Sequence, residues 1–183
     1  VFDENIYKGC IRHIQIRCTS TDEYMVIFVT GSPVLYKKEL LIKDLIRKHP
    51  KIKTVIHNIN SAHTSMVLGD KSYVIYGKGY IRDVLCGLKF NLSASSFYQI
   101  NKYQTEVLYN TAIQLAEFKG SETVIDAYSG IGTISLCLAS KVKEVIGVEI
   151  NEQAVRDAIR NAKLNDVTNV KFIADDAGRF MEK

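Results

Sequence analysis

The chain has 183 residues, 46% apolar and 24% charged, with 24 Lys+Arg against 20 Asp+Glu and a formal net charge of +4. That is ordinary for a globular chain able to bury a core in one domain or two small ones, and the mild basic bias is compatible with an RNA partner without arguing for one. No apolar run approaches the about 18 residues of a membrane span, and no basic and apolar leader opens the chain, so neither a membrane protein nor an exported one is expected.

Cysteines stand at 10, 18, 86 and 137 and histidines at 13, 49, 57 and 63. None of the cysteines forms a C-x-x-C pair, and the histidines show no ligand spacing with them, which predicts reduced thiols, a cytoplasmic protein and neither a zinc nor an iron–sulfur site. The sequence begins at Val1 rather than Met and stops in AGRFMEK, as expected for a piece of a longer protein.

Residues 11–29, IRHIQIRCTSTDEYMVIFV, predict two strands around the turn at 19–22. KKELLIKDLIRK, residues 37–48, puts Leu40, Leu41, Ile42, Leu45 and Ile46 largely on one helical stripe, and Pro50 stops it. Strands are expected at 54–60 and 72–77, giving a small α+β unit to about residue 88 with its helix on one sheet face. A loop and a long helix follow, capped near Asn101, with Val107, Leu108, Ala112 and Leu115 on one face. From Thr123 the order is strand, glycine loop, helix (TISLCLAS), strand (EVIGVEI), helix (NEQAVRDAIRNAKLN) and strand (VKFIA). That βαβαβ order is the signature of a parallel α/β sheet. The expected fold class is α/β, with a central α+β domain over 1–88 and the N-terminal part of a parallel-sheet domain over 89–183.

The glycine loop Asp126-Ala-Tyr-Ser-Gly-Ile-Gly-Thr133 lies at the mouth of the first of these parallel strands, where such sheets bind ligands. Paired glycines there admit either a tight turn or a ligand pressed close to the backbone. A G-x-G-x-x-G fingerprint would need glycine where Ser135 stands, and no lysine follows Gly132 to make a P-loop, so pyrophosphate is disfavoured. The remaining pattern, D-x-x-x-G-x-G, is that of S-adenosylmethionine (SAM) sites. Glu149, at the tip of the next strand, can accept both ribose hydroxyls, and Asp175 or Asp176 after the third can meet the adenine amino group. Each feature alone has a bland reading, as turn glycines, a solvated strand end or helix caps.

The segments FNLSASSFYQINKYQTEVLY (90–109), VIDAYSGIGTISLCLA (124–139) and VIGVEINEQAVRDAIRNAKLN (145–165) resemble the SAM-dependent RNA uracil-5-methyltransferases, which make 5-methyluridine in 23S ribosomal RNA and in tRNA. The residues before 89 are similar to that family's central domain. The resemblance implies a Rossmann-like methyltransferase sheet, an RNA-facing central domain, and cofactor contacts from Gln99, Tyr128 and Glu149, with Asp176 on a looser match. Asp126, Gly130 and Gly132 form the loop itself. It implies 23S ribosomal RNA as substrate ahead of tRNA, the wording SFYQIN and DAYSGIG being closer to the ribosomal branch.

Departures from the family bear on chemistry. Ser129 stands where the family often has a non-catalytic cysteine. The family's catalytic Ser-Cys-Asn-Pro segment, its Asp-Pro-Pro-Arg segment and its general-base glutamate are not found here; the only prolines are Pro33 and Pro50. Uracil C5 becomes nucleophilic when a thiolate adds at C6, and a base then removes the C5 proton so the thiolate can leave. The nucleophile and base are therefore expected beyond Lys183. The first parallel strand is expected to be an exposed edge able to pair with a second copy of the chain. The alternative from another class is a non-catalytic RNA-binding module using Arg12, His13, Arg17, Lys51 and Lys53.

Overall fold

The computed structural model describes residues 2–3 and 6–182. They divide into two compact units, one of residues 1–82 and 93–95, the other of 83–92 and 96–183.

In the first unit β1 (Ile11–Cys18), β2 (Tyr24–Thr30), β3 (Ile52–Ile59) and β4 (Lys71–Gly77) lie side by side in chain order. The outer pairs are antiparallel and β2–β3 is parallel, the helix α1 (Lys38–Lys48) supplying the crossover. Consecutive buried residues Met25 to Val29 suit a central strand covered on both faces. Leu41, Leu45 and Ile46 of α1 pack on a core of Val26, Phe28, Leu35, Ile52 and Val55. The expected strands and helix are all present.

The strands β5 (Tyr80–Leu85) and β6 (Leu88–Ser93) pair with each other and were not anticipated. Their two-residue connection, Cys86-Gly87, has both residues at positive φ, 51° and 77°. This is the backbone of a type I′ hairpin, which the sequence hides by placing cysteine where asparagine or glycine is usual.

In the second unit, α2 (Lys102–Leu115) starts at Asn101, whose side chain accepts from the Gln104 N–H. Its inward side is Thr105 and Tyr109, whereas Val107, Leu108, Ala112 and Leu115 are exposed. They share a face as expected, but it is not the face that packs. Three parallel strands follow, β7 (Thr123–Asp126), β8 (Glu144–Glu149) and β9 (Val170–Ala174), with β7 at the edge. The helix α3 (Thr133–Leu138) links the first two and α4 (Glu152–Leu164) the next; α5 (Ala177–Met181) follows β9. Leu138, Ala139, Val142 and Val145 form the core here, with Ile113, Val124, Ile134 and Val170 packed around them.

Candidate functional site

Parallel strands in register end together, so β7, β8 and β9 bring Asp126, Glu149 and Asp175 to one edge of the sheet. The backbone stitches these tips: Ser129 N–H donates to the Val148 carbonyl (3.0 Å) and Asp175 N–H to the Glu149 carbonyl (3.2 Å). Gly132 N–H closes the loop on the Ser129 carbonyl at 2.8 Å.

Glu149 is the centre of the arrangement. One carboxylate oxygen accepts from Gly130 N–H (3.0 Å) and the other from Asn151 N–H (2.8 Å), so the side chain is fixed across the glycine loop and the start of α4. Each oxygen keeps a further lone pair. Gly130 has φ 53° and no heavy atom within 4 Å of where a Cβ would stand. Gly132, at φ 83°, would place a Cβ 2.7 Å from the Phe172 ring. The two glycines thus answer different needs: Gly132 admits the packing of Phe172 beneath the loop, and Gly130 leaves open space above it.

Asp126 accepts from the Ser135 hydroxyl and from the backbone at Tyr128 and Ser135, bonds that organise the loop and the first turn of α3. Burial pushes its carboxyl up from the ordinary aspartate value, which these hydrogen bonds partly oppose, and the nearby Glu149 charge adds to the rise. Tyr128 is 83% exposed at the loop's rim. Asp176 caps α5 by accepting from Arg179 N–H at 3.0 Å, while Asp175 pairs with the Arg179 guanidinium at 3.6 Å. Gln99 is exposed, and among the described residues it makes no hydrogen bond to the loop. The helix behind it is anchored, since the Tyr109 hydroxyl meets the Thr133 hydroxyl at 3.0 Å. Asp126, Gly130, Gly132 and Glu149 are therefore joined through the loop backbone in one network, Asp176 sits one residue from it, and Gln99 and the Tyr128 side chain stand outside it.

Sequence reasoning missed Asn161. Fully buried on α4, it donates to the Ile131 carbonyl inside the glycine loop (3.2 Å) and accepts from Asn91 N–H of β6 (2.9 Å). Its signal was an asparagine inside the apolar stripe Val155, Ala158, Ala162, where a polar residue needs a buried partner.

A separate cavity of about 300 Å³ is lined by Cys86, Leu88, Cys137 and Asn169 among others and shares no residue with the strand-tip network. Burial pushes both thiols above the usual cysteine range, and the two lie beside each other. Neither has the lowered pKa of a nucleophilic cysteine.

Residues 118–183 match the family model described as a methyltransferase domain. A Bacillus cereus protein described as an uncharacterized RNA methyltransferase is 45% identical over 172 residues, covering 93% of this chain and 38% of the relative. One from Halalkalibacterium halodurans with the same description is 45% identical over 181 residues, covering 98% of this chain and 40% of the relative. The chain thus spans about two fifths of the length of these curated relatives. Among solved structures, the Pyrococcus abyssi tRNA (uracil-54, C5)-methyltransferase in complex with S-adenosyl-L-homocysteine superposes with a TM-score of 0.76 at 25% identity, covering 94% of this chain and 41% of that one. The Methanocaldococcus jannaschii tRNA m1G37 methyltransferase, at TM-score 0.54 and 17% identity, shares the fold. The chain is accordingly of mixed α/β class with a Rossmann-like methyltransferase sheet.

Proposed function

We propose that this chain is the cofactor-binding part of a SAM-dependent RNA methyltransferase that acts on uracil C5, with 23S ribosomal RNA as substrate. The single observation that carries the cofactor assignment is the Glu149 carboxylate, locked by two backbone N–H groups at the β8 tip beside the open space over Gly130. An adenosyl group fits that donor set: its ribose offers two hydroxyls to the free lone pairs of Glu149, and Gly130 lets it approach the backbone. The rim is rich in carboxylates, Asp126, Glu149, Asp175 and Asp176, with Arg179 engaged by Asp175. This suits a cationic sulfonium and opposes a pyrophosphate. The methyltransferase-domain match over this unit and the S-adenosyl-L-homocysteine complex of the Pyrococcus abyssi neighbour support the same reading.

Bound there, SAM supplies an electrophilic methyl group. Glu149 would orient the ribose and Asp176 would meet the adenine edge, with Tyr128 and Gln99 as further cofactor contacts. We assign the attacking thiolate and the base to residues outside this chain, since none of its cysteines belongs to the strand-tip network; Cys18, free and exposed, ends β1 in the first unit. Cys86 and Cys137 are held protonated by burial, and Cys10 donates its thiol to the Val34 carbonyl in the first unit. The central α+β domain, expected from the sequence over residues 1–88, faces the RNA. The tRNA reading is favoured by one observation, the name of the Pyrococcus abyssi neighbour. The open side of β7, with Ile125 exposed, and the exposed apolar face of α2 support self-association of the isolated chain. A concentration-independent monomer by light scattering would exclude that association.

Calorimetric titration of SAM tests the cofactor site. Saturable binding to the wild type, lost in Glu149→Ala, is the expected result; equal binding by the two proteins would overturn it. Incubating the full-length protein with methyl-labelled SAM and either 23S ribosomal RNA or tRNA, followed by nucleoside analysis, tests the substrate. Label in 5-methyluridine from the ribosomal RNA is expected.

A further inference from the structure

Positive charge is unevenly distributed along the chain. Between residues 37 and 53 stand seven lysines and arginines and only two acids, Glu39 and Asp44, while the whole protein carries a net +4. One 17-residue stretch, α1 with its flanks, therefore holds more net charge than the molecule.

All seven cations are exposed. Three have a carboxylate partner: Lys38 with Glu39 (3.9 Å), Arg47 with Asp44 (3.1 Å) and Lys51 with Asp22 (2.7 Å). Among the described residues, Lys37, Lys43, Lys48 and Lys53 have none. The apolar side of α1 is already used, since Leu41, Leu45 and Ile46 pack on the sheet. Lys43 and Arg47, one turn apart, point the other way. Tyr36, immediately before Lys37, is 75% exposed. The helix is about 16 Å long at its 11 residues, enough to run beside several phosphates of a nucleic-acid strand. Crowding unpaired like charges on one helix is unfavourable by itself and favourable against a polyanion, where each contact releases condensed counterions.

We propose that α1 and its flanks, from Tyr36 to Lys53, form a ridge that binds the phosphate backbone of the RNA substrate, with Tyr36 as a stacking surface for an unpaired base. This rests on the reading of the protein as an RNA methyltransferase. Charge complementarity and the RNA methyltransferase descriptions of the relatives select RNA as the occupant. The ridge contributes affinity and register without reading sequence.

The test is fluorescence anisotropy of a labelled, unstructured RNA titrated with the protein across a salt series, with SAM binding measured in parallel. Three proteins are compared: wild type, Lys43→Gln/Lys48→Gln/Lys53→Gln, and Lys119→Gln/Lys141→Gln/Lys163→Gln in the second unit, which removes the same charge. Single-strand contacts each add about 0.7 to the slope of log K against log salt, so the ridge variant should lose about 2 from the slope and on the order of 10²-fold in affinity at 0.1 M salt. The second-unit variant should bind as the wild type does, and Tyr36→Ala should lose about fivefold or more with its slope unchanged. Wild-type binding with an unchanged slope in the ridge variant, or equal losses in the two triple variants, overturns the ridge and leaves the RNA reading standing. SAM binding without any RNA binding by the wild type overturns the RNA reading and the ridge with it.

Discussion

Replacing Gly130 or Gly132 by alanine separates two reasons for a glycine in the same loop. Both have positive φ, 53° and 83°, so an alanine at either pays the left-handed penalty, of about 1 kcal/mol at its lower end. At Gly130 that is the whole cost, because nothing lies within 4 Å of the new methyl. At Gly132 the methyl would sit 2.7 Å from Phe172 Cζ and 3.3 Å from Ala158 Cβ. Overpacking of that kind adds about 1–3 kcal/mol. In a unit of about 100 residues each kcal/mol moves Tm by about 4–8 °C, so Gly130→Ala should melt about 5 °C low and Gly132→Ala about 10 °C low or more. Circular dichroism melts read this directly, and equal shifts would refute the packing argument. Calorimetry on the well-folded Gly130→Ala should then show SAM affinity reduced at least about tenfold, a loss of about 1.4 kcal/mol. Wild-type affinity would mean that Gly130 serves the turn alone.

Asn161→Ala leaves the Asn91 N–H and the Ile131 carbonyl without their partner, and urea unfolding should show a loss of about 2–4 kcal/mol. Tyr109→Phe removes only the hydroxyl that meets Thr133; a loss of about 1 kcal/mol is expected, with an unchanged urea midpoint counting against that bond. The Asp126 carboxyl is raised in the folded state, so the unfolded chain releases its proton first and stability falls as pH rises from the ordinary value of 3.8 through the folded value. The stability of wild type relative to Asp126→Asn should therefore decline from pH 4 upward before levelling off, as measured by urea unfolding at a series of pH values.

Most of the strand-tip site was legible in the sequence because its geometry is a consequence of local pattern. Alternating strands and helices specify a parallel sheet; parallel strands end at one edge; residues written at the strand ends, Asp126 and Glu149 as last residues and Asp175 just after, must then be neighbours. The helix start at Asn101 was legible for the same reason, since a cap satisfies N–H groups two and three residues away.

What lay beyond the sequence depends on partners distant along the chain. The apolar pattern of α2 names a face, but the neighbours select which face packs, and they select Thr105 and Tyr109 over Val107 and Leu108. The hairpin at Cys86-Gly87 escaped because a cysteine in the left-handed region carries no sequence signal. Asn161 reads as one more polar residue on a helix until the fold sets it between β6 and the glycine loop, 30 residues from the carbonyl it holds. The sequence determined which elements exist and where the strand tips gather. Tertiary structure alone decided how the glycine loop is held, because a buried hydrogen bond between remote segments leaves no periodicity to read.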